Sequence, residues 1–427
     1  MLSTYSAILN LPGAKAFAFA GLLSRLPISM FNISIILMVQ IQYNSYEMAG
    51  RVAAIGVLVW AAQTIPTARL TDRFGQAAIM WPLTVLHVTG AALVIWTAMT
   101  QGPEWMLWVA VTLASLSGPL GSLTRARWSH ILESDDDIHT AFALEGVLDE
   151  ILFIAGPALA TILATAVWPP LGIIVAATAM LVGISILLPQ RSTQPPTRKE
   201  TGGNGLGIRI PPAIVAVTLI ALGIGAMFGS FDISTVAFAD EQGHKAWAGL
   251  LLAFVSAGSL MGGLFYGSRH WKTPLWKRTV IGALFLGLGF SAMSLAPNLI
   301  VFSIIGFFAG ATIAPSLTNT DTVVQRVVKR DQITEGMAWV RIGMGAGVAL
   351  GAWIAGVLIE NNNAHAGLYT SAGAGLAAFG IAALTIPMLR NGTERLDHDP
   401  TATDAPPPHD AHAIDEFAEQ PPLMPKV

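Results

Sequence analysis

The feature that most constrains this chain is a pair of long stretches without a charged residue. Residues 151–190 and 279–320 contain no Asp, Glu, Lys or Arg. A helix needs roughly 20 consecutive apolar residues to cross the hydrocarbon core of a bilayer, so each stretch is long enough for two crossings. Prolines near the middle of each, at Pro169, Pro170 and Pro297, mark the turns of two predicted helical hairpins. The sequence therefore predicts a protein that folds within a membrane.

The composition excludes several other classes of protein. Only 11% of the 427 residues are charged and 53% are hydrophobic, whereas soluble domains carry roughly 25% charged residues. The high hydrophobicity excludes a disordered chain, and a formal net charge of −3 offers no basic surface for nucleic acid. The chain contains no cysteine and no phosphate-binding loop of the Gly-x-x-x-x-Gly-Lys type. We therefore expect neither an enzyme nor a bound cofactor or metal.

A search for further apolar runs gives twelve predicted transmembrane helices. Their approximate intervals are 15–40, 47–70, 77–99, 104–127, 138–165, 168–189, 211–239, 245–267, 276–296, 298–327, 332–359 and 364–388. An even number of spans places both termini on one side. Basic residues accumulate in cytoplasmic loops, and the loops on the side of the termini hold most of them, including Arg69, Arg73, Arg125 and Arg127. We therefore predict a multi-pass plasma-membrane protein with both termini cytoplasmic.

Short internal repeats indicate two related halves. Residues 30–34 (Met-Phe-Asn-Ile-Ser) resemble residues 230–234 (Ser-Phe-Asp-Ile-Ser), and the sequence Ser-Leu-Thr occurs at both 122–124 and 316–318. The two repeats have nearly the same displacement and fall in spans one and seven and in spans four and ten. Internal repeats of this kind are common in membrane transporters.

The predicted domain organisation follows from the repeats and from two polar segments. Residues 1–189 form an N-terminal six-helix bundle and residues 211–388 a C-terminal six-helix bundle. Residues 190–210 between them are rich in Pro, Gly and Thr, which predicts a flexible cytoplasmic linker. Residues 389–427 are polar and acidic, which predicts a disordered cytoplasmic tail.

The segment between spans two and three carries a motif that resembles a family signature. Residues 68–76 read Ala-Arg-Leu-Thr-Asp-Arg-Phe-Gly-Gln. They are similar to the loop signature of the major facilitator superfamily, which is Gly, three residues, Asp, Arg or Lys, any residue, Gly and then basic residues. Asp72, Arg73 and Gly75 match this signature, whereas Ala and Gln stand at its first and last positions.

A second motif lies in span five, where Gly156-Pro157 resembles the Gly-Pro of the antiporter signature of drug and metabolite exporters. The resemblance to the superfamily covers residues 15–388. It implies an all-α membrane protein of twelve helices in two pseudo-repeated bundles, which expose a central site alternately to each side. It also implies that Asp72 and Arg73 form a gate between the halves in one state, the alternative being a basic cluster that only sets topology. We expect a monomer.

Ionisable residues inside the predicted spans are costly in a bilayer and are candidate functional residues. Arg25 in span one lies at a depth similar to that of Asp149 and Glu150 in span five. Glu145 and Asp149 are four residues apart and share a helix face. We expect Arg25 to face one carboxylate, which leaves another able to load a proton. The alternative is a static ion pair that holds spans one and five together.

The second half contributes Asp232 in span seven and Arg341 in span eleven. The repeat partner of Asp232 is Asn32 in span one, so we expect these two residues to face each other across the cavity. A direct pair between Asp232 and Arg341 would need a break in span seven. Asp232 is a candidate to titrate, to bind a substrate amine or to pair with Arg51.

The sequence thus predicts a secondary active transporter. The leading hypothesis is proton-coupled antiport, with efflux of a small organic molecule by alternating access. The alternative is a proton-coupled uptake symporter for a sugar or similar solute, which would need polar cavity faces that the inner spans here lack. A non-transporting receptor on the same scaffold also stays open. The expected partners are a small-molecule substrate, protons and the lipid bilayer.

Overall fold

The computed structural model describes residues 8–197, 211–269, 271–328 and 333–394. Within these ranges the chain forms helices and no β-strand. The greater parts of the predicted linker and tail lie outside the described residues. The prediction of an all-helical chain is confirmed for the residues that the structure describes.

The helices follow the order of the predicted spans. The first half of the chain contains α1 (Ala14–Tyr43), α2 (Tyr46–Phe74), α3 (Gln76–Met99), α4 (Glu104–Ala114), α5 (Leu120–Ile131), α6 (Asp135–Ile162) and α7 (Leu171–Leu187). The second half contains α8 (Pro212–Glu241), α9 (Ala248–Gly267), α10 (Leu275–Met293), α11 (Leu299–Gly310), α12 (Ile313–Val327), α13 (Ile333–Asn361), α14 (Ala364–Leu384) and α15 (Ile386–Glu394). A π-helical turn, Leu163–Val167, extends α6.

Each of the twelve predicted intervals contains helix. In the described part of the chain, nine helical segments are long and apolar enough to cross a membrane. These segments establish a multi-pass helical membrane protein, because apolar helices of this length match the thickness of the hydrocarbon core of a bilayer. The count of twelve spans stays a prediction.

Spans four and ten are each broken into two helices at corresponding places. The first break separates α4 from α5, and the second separates α11 from α12. The first contains Ser117-Gly118-Pro119, where Gly118 has a φ of 74° and the proline cannot donate to a helical hydrogen bond. Both breaks come just before the repeated Ser-Leu-Thr segments, so the sequence repeat is also a structural repeat.

Helix α8 is continuous, and its glycines serve packing. A Cβ added at Gly225 would lie 2.1 Å from the carbonyl oxygen of Met344, and one at Gly229 would lie 1.9 Å from that of Val348. These glycines therefore let α8 and α13 approach backbone to backbone. They do not unwind α8, so the break that a pair between Asp232 and Arg341 would need is absent.

The two halves are in close contact at one end of the bundle, which we call the closed end. It carries the turns that follow α1, α8 and α13. There a Cβ at Gly50 of α2 would lie 2.5 Å from the carbonyl oxygen of Ala352 of α13, and one at Gly356 would lie 2.6 Å from that of Tyr46. Backbones of the two halves therefore touch at this end.

The opposite end is the one where α1 begins and α15 ends, and we call it the open end. Helices α2 and α13 have exposed side chains there. Asp72 and Arg73 in the last turn of α2 are exposed, as are Trp339 and Arg341 near the start of α13. On the way toward this end the two helices still approach each other at Gly345, where an added Cβ would lie 2.6 Å from the Cβ of Ala61. The described residues thus form a bundle that is sealed at one end.

Candidate functional site

Two polar side chains meet where α1 and α8 face each other between the halves. The side-chain amide of Asn32 on α1 interacts with the carboxylate of Asp232 on α8. Both side chains are partly exposed, whereas their neighbours Phe31, Ile33 and Phe231 are buried. None of the ion pairs between described residues includes Asp232. The repeated segments therefore meet face to face, and the carboxylate between the halves has an amide rather than a cation as its partner.

Arg25 lies between α1 and α6 and is almost fully buried. Its Nη2 donates to Oε2 of Glu145 at 2.5 Å, and its Nη1 donates to Oδ1 of Asp149 at 2.7 Å. The remaining Nε donates to the carbonyl oxygen of Gly21 at 3.1 Å. The sequence led us to expect one carboxylate at Arg25, and the structure places two there.

Helix α5 completes the network around these two carboxylates. Glu145, which is fully buried, also accepts hydrogen bonds from the indole of Trp128 at 2.8 Å and the hydroxyl of Thr124 at 3.2 Å. Asp149 accepts a second guanidinium, from Nη2 of Arg125, at 2.8 Å. Two arginines therefore balance two carboxylates, with every carboxylate oxygen hydrogen-bonded. The choice between a static ion pair and a proton-loading site stays a prediction for this cluster.

The sequence assigned Arg125 to a loop, because helix α5 continues beyond the last apolar run of span four. In the structure Arg125 lies inside α5 and its guanidinium is directed back toward α6. Its Nη1 also donates at 3.1 Å to the carbonyl oxygen of Gly121, four residues earlier in the chain. This hydrogen bond holds the side chain in that direction. The signal in the sequence was Gly118-Pro119, which can end one helix and begin another, so that Arg125 falls inside the second helix.

Glu150 is the third acid of this region and differs from the other two. It is partly exposed, and in the described part of the chain it takes part in no hydrogen bond or ion pair. Gly146, one turn earlier on the same face of α6, has nothing within 4 Å of an added Cβ. Further along this face, Pro157 touches α9, since a Cβ at Gly249 would lie 2.5 Å from the Pro157 oxygen. Glu150 therefore lies on α6 between an uncrowded position at Gly146 and the contact with α9 at Pro157.

Arg341 is exposed toward the open end and interacts electrostatically with Asp321 of α12. The sequence missed Asp321, although it is an acid inside predicted span ten, because the charge-free run stops one residue before it. Arg51 is likewise occupied elsewhere. It pairs with Glu47, one turn away, and forms two hydrogen bonds with Glu104 at 2.7 and 3.0 Å. Neither arginine pairs with Asp232.

The residues that resemble the family loop signature lie in a very short connection. Asp72 and Arg73 belong to the last turn of α2, and Gly75, with a φ of 90°, is the one residue between α2 and α3. An added Cβ at Gly75 would lie 3.3 Å from the side chains of Gln194 and Thr197. Glycine is therefore required here both by the backbone conformation and by the close packing. The gate proposed for Asp72 and Arg73 stays a prediction.

Arg127 is fully buried at the same end and binds the start of the predicted linker to the first half. Its Nε donates to Oε1 of Gln76 at 2.9 Å, and its Nη1 donates to the carbonyl oxygen of Gln190 at 2.8 Å and the hydroxyl of Thr193 at 2.7 Å. The described part of the linker, 190–197, is thus held against α3 and α5.

The Gly-Pro of span five lies at a junction of three helices. A Cβ at Gly156 would lie 2.2 Å from Oγ of Ser29, which brings α6 against α1. Pro157 contacts α9 through its carbonyl oxygen, which also accepts a hydrogen bond from Thr161 at 2.8 Å. The motif therefore positions α6 between one helix of its own half and one of the other.

Polar side chains join the two halves at the closed end. Asp240 of α8 accepts hydrogen bonds from the hydroxyl of Tyr46 and from Nζ of Lys245, each at 2.8 Å. Lys245 also donates to Oε1 of Gln40 at 2.6 Å, and Glu360 accepts from the backbone N–H of Tyr46 at 2.7 Å. We call these five residues the latch. The sequence did not identify them, because each lies at a helix end, where polar residues are ordinary.

Within the residues that the structure describes, no group of three or more His, Asp or Glu side chains is placed to hold a metal ion. The sequence model of the Major Facilitator Superfamily matches residues 17–326 and 275–421. The chain belongs to the major facilitator superfamily. This membership confirms the resemblance drawn from residues 68–76, and it identifies a transporter rather than an enzyme. No curated protein matches the sequence of this superfamily member.

Solved structures share the fold of this major facilitator superfamily protein. A POT family transporter, PepTSo, is 10% identical with a TM-score of 0.69, over 88% of this chain and 98% of the other. A bacterial homologue of the human lysosomal transporter Spinster, inward-facing and occupied, is 12% identical with a TM-score of 0.63, over 89% and 97%. A bacterial metal transporter is 12% identical with a TM-score of 0.62, over 87% and 97%. At such identities the likeness concerns the fold alone.

Proposed function

We propose that this secondary transporter is a proton-coupled antiporter that exports a small organic molecule. The observation that carries the proposal is the carboxylate of Asp232, which lies between the halves and has Asn32 rather than a cation as its partner. A carboxylate away from bulk water requires a compensating charge or several hydrogen-bond donors. A proton or a cationic group of the substrate supplies that charge at Asp232.

Competition for one carboxylate explains exchange. When a proton occupies Asp232, a cationic substrate is excluded, and when the substrate binds, the proton leaves. Each ligand biases the balance between the two orientations of the transporter by its differential affinity for them. Glu145 and Asp149 are less suited to this role, since two arginines already compensate their charges. We propose that they hold α1, α5 and α6 together.

We further propose that the open end faces the cytoplasm. Basic residues such as Arg69, Arg191 and Arg269 lie at this end, and basic residues are retained on the cytoplasmic side of the plasma membrane. The closed end with its latch then faces outward, and the conformation is open to the cytoplasm. In this orientation the twelve helical intervals form two six-helix bundles, and Asp72 and Arg73 meet the other half when the open end closes.

Glu150 is a second candidate for the coupling carboxylate. It lies on the face of α6 that carries Gly146 and Pro157, and in the described residues it has no ion-pair partner. It would meet a cationic substrate before that substrate reaches Asp232. Symport of a sugar-like solute is the alternative function, and it differs from antiport in the direction in which protons follow the substrate.

Proteoliposomes that enclose a pH-sensitive dye test these proposals. Without an imposed gradient, external tetraphenylphosphonium or another lipophilic cation is expected to make the lumen alkaline, because each cation that enters expels protons. A symporter would make the lumen acidic instead, and a panel of sugars serves as the comparison.

The matched variants are Asp232→Asn and Glu150→Gln. We expect Asp232→Asn to abolish the substrate-induced proton flux, because an amide cannot exchange a proton for a cation. Glu150→Gln is expected to lower the apparent affinity for the cation while proton flux at saturation remains. Full proton flux in Asp232→Asn together with its loss in Glu150→Gln would transfer the coupling role to Glu150.

A further inference from the structure

A cavity of about 390 Å³ opens at the open end of the second half, away from the space between the halves. It lies where the end of α9, the start of α10, the end of α12 and the end of α15 come together. Three basic side chains line it, from Lys272, Arg278 and Arg326. The transport site described above uses none of these residues.

One carboxylate also borders the cavity, but it is already engaged. Glu394 accepts a hydrogen bond from the indole of Trp276 at 3.1 Å and one from Nε of Arg390 at 2.9 Å. This one carboxylate stands against three cations in the lining. The cavity therefore has an excess of positive charge, and repulsion among these cations favours an anion between them.

Arg278 is the most firmly positioned of the three. Its Nη1 donates to the hydroxyl of Tyr266 at 2.9 Å, and that hydroxyl donates to Oδ1 of Asn319 at 2.5 Å. Asn319 in turn donates to the carbonyl oxygen of Arg278 at 3.2 Å. All of these partners are neutral. The Nε of Arg278 is buried and has no hydrogen-bond acceptor among the described residues, so the guanidinium is held in place with a donor to spare.

The start of α10 contributes a further set of donors. The helix begins at Leu275 after Pro274, and no side chain caps its N-terminus. The free N–H groups of a first helical turn, together with the helix dipole, favour an anion at this position. The helix end and the Arg278 guanidinium therefore point to the same ligand chemistry from two separate observations.

The position of the cavity indicates the class of anion. Trp271 lines it and Trp276 donates to Glu394 at its border, and tryptophan is enriched at the level of the lipid headgroups. Arginine and lysine clusters at this level recognise phosphate, arginine with a planar fork that pairs with two oxygens. We propose that Lys272, Arg278 and Arg326 bind a phosphate-bearing anion. Its source is either the headgroup of an anionic phospholipid or a soluble phosphate.

Two measurements on the full-length protein test this site and separate the sources. The first titrates inorganic phosphate onto detergent-purified protein and follows its thermal unfolding. The second reconstitutes the protein in nanodiscs of phosphatidylcholine with and without phosphatidylglycerol, and determines the phosphatidylglycerol retained by the protein. Saturable stabilisation by phosphate alone identifies a soluble anion, and selective retention of phosphatidylglycerol identifies a lipid.

The variants are Arg326→Gln and Lys272→Gln. Both residues are exposed, so the substitutions are expected to leave the fold intact, and the control is Arg269→Gln. Arg269 is exposed in the same connection between α9 and α10 but does not line the cavity. Loss of a charge-assisted hydrogen bond is expected to weaken binding about tenfold or more in either variant. The proposal is overturned if both variants bind like the wild type, if Arg269→Gln weakens binding equally, or if neither anion binds.

Discussion

At the scale of single residues, the carboxylates of this protein fall into two kinds. Glu145 and Asp149 are enclosed by Arg25, Arg125 and neutral donors, so their charges are compensated within the protein. Asp232 interacts with the amide of Asn32 and forms no ion pair among the described residues. A compensated carboxylate contributes to structure, whereas one without a cation needs a charge from outside the protein. The roles that we propose for these acids, structural for Glu145 and Asp149 and transporting for Asp232, therefore rest on their partners and not on their depth.

This division predicts different effects on stability from two substitutions in α6. Glu145→Gln leaves Arg25 and its neighbours with an uncompensated buried charge, which is expected to lower the free energy of unfolding by about 3 kcal/mol or more. Glu150→Gln changes a partly exposed acid that has no hydrogen bond or ion pair in the described residues. It is expected to alter the free energy of unfolding by less than about 0.5 kcal/mol.

Thermal unfolding of the two variants in one detergent provides the comparison. Equal stability of Glu145→Gln and the wild type would contradict the structural role of the network.

The sequence could place Arg25 opposite an acid of span five, because both lie at one depth of neighbouring spans. It could not find Arg125 as the second cation. A pattern of hydrophobicity gives the depth of a residue along a helix, but the rotation of α5 that turns Arg125 toward Asp149 arises from packing with α1 and α6.

At the scale of helices, the latch sets how the two halves are held together. The hydroxyl of Tyr46 on α2 and the ammonium of Lys245 ahead of α9 converge on Asp240 of α8. Backbone contacts of Gly50 and Gly356 lie beside it. The bonds of Tyr46 with Asp240 and of Lys245 with Gln40 join opposite halves, so we expect them to form in one orientation of the transporter and to break in the other.

Removal of one latch hydrogen bond is expected to shift the balance toward opening of the closed end. Tyr46→Phe deletes a hydrogen bond to a carboxylate worth about 1.5 kcal/mol, which corresponds to about a tenfold change in the equilibrium constant. Pairs of spin labels on cysteines introduced at the closed end measure this change, and the natural chain contains no cysteine that would interfere.

Tyr43→Phe is the matched control for this measurement. The Tyr43 hydroxyl donates to the carbonyl oxygens of Thr97 and Gly102, which belong to the same half of the chain. Tyr43→Phe is therefore expected to leave the distribution of spin-label distances between the halves unchanged. An equal effect of the two substitutions would show that the latch does not control opening.

Helix positions were largely predictable, since each predicted interval contains helix. The breaks in spans four and ten were not predicted, although Ser117-Gly118-Pro119 marks the first of them. A Gly-Pro pair inside an apolar run is compatible with a kink, a break or a continuous helix. Here the hydrogen bond from the backbone N–H of Gly118 to Oε1 of Gln63, at 3.2 Å, supports the broken form. That partner comes from another helix, so the local sequence does not reveal it.

At the scale of the whole molecule, the protein has one end at which backbones of the two halves touch and another at which the facing ends of α2 and α13 carry exposed side chains. The orientation of the protein in the bilayer determines from which side a substrate enters, because an opening toward the cytoplasm admits a substrate for export. The proposed orientation rests on the basic residues of the open end.

Cysteine labelling of intact cells tests this orientation. Asn362→Cys lies at the closed end between α13 and α14, and Arg191→Cys lies at the open end after α7; both residues are exposed. An impermeant maleimide is expected to label Asn362→Cys in intact cells, and Arg191→Cys only after permeabilisation. The reverse pattern would place the termini outside and make the open end an outward-facing one.

The sequence by itself determined the class of this protein. Runs of uncharged residues long enough to cross a bilayer permit only a helical membrane fold, and the Asp-Arg-Phe-Gly motif indicated the family that the comparisons confirmed. The tertiary structure decided which charges compensate each other and which end is sealed. These depend on helix rotation and on contacts between residues more than a hundred positions apart, such as Gln40 with Lys245 and Tyr46 with Asp240. No local pattern in the chain encodes them.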